Sequence, residues 1–191
     1  MLSRLNRCWQ SLFAGRGAAD RGRAAVAPQA AGPAPDAARE WAGQAAAHLA
    51  RNEREDARDC YEVALAHAPD CLAARLGLAR MLRESGETAA ALEHVRYALQ
   101  NAPHDAAVHF ESALVHNRSG DVQGALAAYQ RVLELDPDCA AAATNLGLIH
   151  LSQLGDPLSA QRLFERAIEL DASAVAAQAN ESKQREIADA A

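Results

Sequence analysis

The sequence predicts an all-α chain built as four helix-turn-helix repeats with a capping helix at its C-terminal end. Three observations predict it. Prolines recur at Pro69, Pro103 and Pro137, each 34 residues from the next, and a period of that length marks stacked helix pairs. Small and large residues keep the same phase, with Ala57, Ala91 and Ala125 in one series and Tyr61, Val95 and Tyr129 in another. Half of the 191 residues are apolar, many of them alanine, and aromatics make up only 4%, so the core must be close-packed from small side chains on helices.

The chain opens on a basic segment, 1–23, in which Leu2, Leu5, Trp9, Leu12 and Phe13 recur at helical spacing beside Arg4, Arg7 and Arg16. Residues 2–16 have the makeup of a helix lying on an anionic membrane surface, of a docking element or of an organellar transit peptide. A frayed tail is an equal reading, because so short a helix barely forms alone in water. Residues 24–37, with Pro28, Pro33 and Pro35, read as an Ala/Pro/Gly linker.

The four repeats then occupy 38–71, 72–105, 106–139 and 140–174. In each, a helix A (72–85 in the second) precedes a short turn and a helix B (88–101). The turn requires a left-handed residue, which Gly86, Gly120 and Gly155 supply, with Asn52 in the first repeat. The fourth repeat carries one extra residue, placed beside Leu154 and Gly155, after which Asp156-Pro157 reads as an N-cap followed by proline in the first helical position. Pro69, Pro103 and Pro137 stop helix B, and Asp70, Asp105 and Asp138 are expected to cap the next helix A. Ala172 stands where a fourth proline would fall. Residues 175–191 are expected to form a capping helix whose Gln178, Glu181, Ser182 and Arg185 solvate the open end.

In phase with these marks stand Trp41, Ala57, Tyr61, Ala64 and Pro69, then Leu78, Ala91, Ala98 and Pro103, then Ala125, Tyr129 and Pro137, and finally Leu146-Gly147, Ala160, Phe164 and Ala167. This set resembles the tetratricopeptide-repeat (TPR) family, with Arg75 departing from it at the Trp position of the second repeat. The resemblance implies a right-handed α-solenoid whose A helices line a concave groove that receives peptide segments or helices. By position the groove residues are Arg39, Ala42, Gly43 and Ala46, then Leu76, Gly77, Arg80 and Arg83. They continue with Phe110, Leu114, Asn117 and Arg118, and end with Asn145, Leu148 and Leu151. Members that clamp a C-terminal carboxylate use Lys, Asn and Arg where this chain has mostly Leu, Phe or Ala, and of the asparagine ladder of sugar-transferase arrays only Asn145 is present. What remains is an apolar floor opened by Gly43 and Gly77, with Arg80, Arg83 and Arg118 near it. The expected partner is an amphipathic helix or extended segment with apolar anchors and one or two acids. The chain's own Leu2 to Phe13 is the competing occupant.

The formal net charge is −6, yet residues 1–35 are basic, so the body is strongly acidic and a nucleic-acid partner is not expected. Cys8, Cys60, Cys71 and Cys139 form no C-x-x-C pair, and Cys71 and Cys139 share a repeat position that suits small buried residues. His48, His116 and His150 also share one position, which places them roughly 10 Å apart in stacked helices, too far to share a metal. His67, His94, His104 and His109 fall at unrelated positions. Glu53, Glu55, Asp56 and Asp59 alternate with Arg51, Arg54 and Arg58 as an ion-paired solvent face. No catalytic motif, metal site or cofactor fingerprint is present. The expectation is a non-enzymatic scaffold or adaptor in the cytoplasm of a bacterium, with membrane association only through the N-terminal segment. A small acidic chaperone for a secreted partner and a regulatory subunit of an enzyme such as a glycosyltransferase are the alternatives.

Overall fold

The computed structural model describes the backbone of residues 35–189 and the side chains of residues 35–173. The basic segment 1–23, its membrane contact through residues 2–16 and most of the 24–37 linker lie outside the described residues. Among the described residues there are eight helices and no strand. They are α1 (Pro35–Ala50), α2 (Arg54–His67), α3 (Leu72–Ser85), α4 (Thr88–Asn101), α5 (Ala106–Ser119), α6 (Val122–Leu135), α7 (Ala140–Ser152) and α8 (Pro157–Asp189). The chain divides into two compact units, one ending at Ala74 and one starting at Arg75, and each is described by itself.

In the first unit α1 begins at Pro35, so the end of the expected linker is already helical. Proline is tolerated there because the first helical N–H has no partner to lose. Helices α1 and α2 pack on each other through small residues, with Ala38 and Ala45 of α1 and Ala57, Cys60 and Ala64 of α2 buried. In the second unit most of the expected packing positions are buried, namely Ala91, Ala125 and Ala160, Val95 and Tyr129, and Ala98 and Ala167, while Phe164 is half-buried. The departure at Arg75 is absorbed by Tyr97, since the guanidinium carbon lies 3.8 Å from the centre of that ring. Gly147 has to stay small, because a Cβ there would lie 2.8 Å from Cε1 of Phe164.

The A-to-B turns follow one plan. Asn52, Gly86, Gly120 and Gly155 have φ of 59°, 88°, 80° and 63°, the left-handed values that glycine and asparagine accept most readily. The next helix then begins from a residue whose N–H returns to a helix A carbonyl: Glu53 to His48 at 2.9 Å, Glu87 to Leu82 at 2.8 Å, Asp121 to His116 at 2.9 Å and Asp156 to His150 at 2.9 Å. This bond occupies a carbonyl that the end of helix A leaves unpaired. The extra residue of the fourth repeat is taken up inside this turn. Asp156 caps α8 as expected, its carboxylate accepting from Ser159 N at 3.1 Å.

The links between repeats correct two expected caps. The N–H groups of Cys71, Asp105 and Cys139 donate to the carbonyls of Ala68, Ala102 and Asp136 at 3.0, 3.2 and 3.3 Å. Each link is thus a four-residue turn whose second place is Pro69, Pro103 or Pro137, where a fixed φ fits. Asp70 and Asp138 occupy the third place of that turn, one residue too early to cap. Cys71 and Cys139 immediately precede α3 and α7, and both are half-buried rather than core residues. Of the three aspartates only Asp105 caps, accepting from Ala107 N at 2.8 Å.

The expected break between the fourth repeat and a capping helix at 175–191 is also absent. Helix α8 runs without interruption from Pro157 to Asp189. Ala172, a strong helix former, stands where proline would stop the helix, so the last segment continues helix B instead of folding onto it. None of the described helices is long and apolar enough to cross a membrane.

Candidate functional site

Three A helices of the second unit, α3, α5 and α7, place most of the expected groove residues. Leu76 and Arg80 from α3 and Phe110 from α5 line one cavity of about 370 Å³, with Ala106, Ala107 and Ala141 completing its apolar wall. Phe110 is fixed edge-on against the buried Tyr129, with ring centres 5.8 Å apart and planes at 76°. Leu114 is half-buried against the same core. Leu148 and Leu151, by contrast, are each 49% exposed, and these two large apolar side chains of α7 are open to solvent. Asn145 is half-buried and Arg118 exposed. Asn117 is exposed, and its Oδ1 accepts from Gln153 Nε2 at 3.2 Å. In the first unit Arg39 pairs with Asp36 at 3.2 Å, Gly43 and Ala46 are exposed, and Ala42 is buried rather than groove-lining.

Sequence reasoning missed the residue that organises this face. Glu111 lines the cavity and is only 2% exposed. Arg83 Nε donates to its Oε1 at 2.9 Å, and Arg80 Nε lies 3.7 Å from its Oε2. Arg83 is therefore committed to an internal carboxylate, which corrects its expected role as a group facing a partner. A signal was present: an acid stands at a repeat position that holds Gly43, Gly77 and Asn145 in the other copies. Nearby, burial pushes the Tyr129 phenol up to about 12, with Arg83 and Glu111 acting in opposite directions.

The histidines that share a repeat position serve the turns. His48 Nδ1 is 2.7 Å from Glu53 Oε2 in the first repeat, His116 Nδ1 is 2.8 Å from Asp121 Oδ2 in the third, and His150 Nδ1 is 3.4 Å from Asp156 Oδ2 in the fourth. Only the His48 contact is an aligned hydrogen bond; the other two are close approaches without hydrogen-bond geometry. In the second repeat Leu82 replaces the histidine and joins the core. Each histidine thus ties the end of helix A to the acid that opens helix B. All three acids are held below the usual carboxylate range: Glu53 by hydrogen bonds from Arg51 and His48, Asp121 by the Gly124 N–H and His116, and Asp156 by Ser159 and His150.

Among the described residues, His48, Glu53 and Asp56 form the one His/Cys/acid cluster with ligand atoms within 4.8 Å of one another. Arg51 already enters it, with Nε 2.9 Å from Glu53 and Nη2 3.2 Å from His48 Nδ1. A guanidinium therefore supplies the positive charge there. The expected ion-paired face is seen in the Arg51–Glu53 pair, while Arg58 reaches Glu62 at 3.3 Å.

Paired helices at a 34-residue period, packed through small residues and joined by left-handed turns, define a helical-repeat protein. A Tetratricopeptide repeat model matches residues 42–106 and 110–175, more than half of the sequence, and the chain belongs to that family. Its fold is similar to that of MamA from Desulfovibrio magneticus RS-1, at TM-score 0.63 and 19% identity over 71% of this chain and 76% of that one. It is also similar to PilF of Pseudomonas aeruginosa, at TM-score 0.66 and 24% identity over 71% of this chain and 61% of that one. YrrB, a TPR protein described as having an unusual peptide-binding site, aligns at TM-score 0.60 and 20% identity over 76% of this chain and 75% of that one. No curated protein matches the sequence.

Proposed function

We propose that this chain is a non-enzymatic interaction module that receives a peptide segment or amphipathic helix of another protein along α3, α5 and α7. The observation that carries the reading is the cavity walled by those three successive A helices, together with the exposed Leu148 and Leu151 on α7. Large apolar side chains left in water, on a helix that also helps to wall a shaped recess, are the usual marks of a protein-binding surface. The peptide-binding site described for YrrB, which shares the fold, supports the same use.

The test is affinity isolation of the partner on the full chain, followed by binding of that purified partner to Leu148→Glu and Leu151→Glu. Both positions are half-exposed, so helicity measured by circular dichroism should be unchanged. Loss of binding in both variants is the expected result, and undiminished binding in both removes this reading.

A further inference from the structure

The two arginines around Glu111 are not equivalent, and the difference carries an inference about which group reads the partner. It rests on the groove reading above. The Arg83 side chain is 19% exposed and makes a hydrogen bond of 2.9 Å to Glu111. That bond keeps a buried carboxylate compensated, and taking Arg83 away would leave the charge without a hydrogen-bonded partner in the protein interior. Arg80 is 58% exposed and its Nε is 3.7 Å from the other carboxylate oxygen, beyond hydrogen-bond distance. Arg80 can leave Glu111 while Arg83 still holds it.

Arg80 also lines the cavity, and the exposed Asp136 lines it too. Asp136 Oδ1 accepts from Asp138 N at 3.2 Å. Arg80 joins this lining from α3 and Asp136 from the link that follows α6. Apart from these two and the Glu111 carboxylate the recess is apolar, walled by Leu76, Ala106, Ala107, Phe110 and Ala141. Its volume of about 370 Å³ lies near the lower end for ligand pockets, and suits one large apolar side chain with its flanking backbone.

We propose that this cavity takes a protein segment in which an apolar side chain is flanked by an acid on one side and a base on the other. The apolar side chain enters against Phe110, the acid meets Arg80 and the base meets Asp136. The charge order fixes the direction in which the segment lies. Arg80, not Arg83, is the residue that selects the acid.

A random dodecapeptide library displayed against the full chain supplies the probe, and the selected peptides are measured by fluorescence polarisation. The selected set should carry an apolar residue with an acid and a base on opposite sides. Replacing that acid by its amide should weaken binding to the wild type by about tenfold, the scale of one charge-assisted hydrogen bond. The Arg80→Gln variant should bind the acid and amide peptides alike, and Asp136→Asn should do the same for the base. Ala107→Trp, an exposed position at the cavity wall, should abolish binding of all of them.

If acid and amide peptides bind the wild type equally while Ala107→Trp still abolishes binding, the groove stands and the role of Arg80 falls. If the acid preference survives Arg80→Gln, the assignment to Arg80 is overturned. A selection whose peptides are indifferent to Ala107→Trp, or that yields no binder, counts against the groove itself.

Discussion

Arg83 and Glu111 meet across two A helices at 2.9 Å, with the carboxylate almost wholly removed from water. Such a pair gains little over an apolar replacement of both partners but is costly to break from one side. Arg83→Ala should therefore lose about 3–5 kcal/mol, because the buried Glu111 carboxylate loses its hydrogen-bonded partner and keeps only the exposed Arg80 at 3.7 Å. Arg80→Ala should lose no more than about 1 kcal/mol, as expected for a solvent-exposed partner. Urea unfolding followed by circular dichroism separates them, and equal losses would contradict the division of roles between the two arginines.

Two glycines offer opposite outcomes for the same substitution. At Gly124 a Cβ would lie 2.6 Å from His116 Nδ1, in the space where His116 and Asp121 meet, so Gly124→Ala should cost about 1–3 kcal/mol through overpacking. At Gly43, inside α1, a Cβ would meet nothing within 4 Å. Gly43→Ala should then stabilise the protein by about 0.5–1 kcal/mol, through helix propensity and a less free unfolded chain. Melting temperatures that move in the same direction would refute the contrast.

The contrast between these glycines was not legible in the sequence, whereas the left-handed role of Asn52, Gly86, Gly120 and Gly155 was. A positive φ is a property of one residue and its neighbours, and the 34-residue phase places that residue. The caps show where local reasoning slips: a proline followed by aspartate looks like a helix start, yet the aspartate belongs to a four-residue turn and the residue that precedes the helix comes one place later, at Cys71 and Cys139. The Glu111 pairing lay further out of reach. It joins helices separated by a whole repeat, and only the acid's intrusion on a series of small residues hinted at it. Of the groove residues, position in the repeat located Leu76, Arg80 and Phe110 at one cavity but could not tell that Arg83 was already taken.

Acid should loosen the turns. Glu53, Asp121 and Asp156 have folded pKa values below their ordinary 4.5, 3.8 and 3.8, so the folded state favours their ionised form. The stability they add is complete above those ordinary values and drains away as pH falls through the lower folded ones. The triple variant Glu53→Gln, Asp121→Asn, Asp156→Asn should show a flatter fall in urea midpoint below about pH 4.5 than the wild type. Parallel pH profiles would mean that these contacts are not kept in solution.

Alkali should act through the Tyr129 phenol. The Tyr129 side chain is fully buried, its hydroxyl has no hydrogen-bond partner, and its pKa is raised from 10.0 to about 12, chiefly by burial. Because the unfolded chain gives up this proton more easily, stability is intact below pH 10 and declines as pH rises toward the folded value. Tyr129→Phe removes the ionising group and keeps the ring that Phe110 packs against. The loss of an unpaired hydroxyl should cost almost nothing at neutral pH, since no bond is broken and one polar group no longer has to be desolvated. Between pH 10 and about 12 the variant should hold its melting temperature better than the wild type. If it instead melts well below the wild type at neutral pH, the hydroxyl must be bonded, and the burial argument for its raised pKa fails with it.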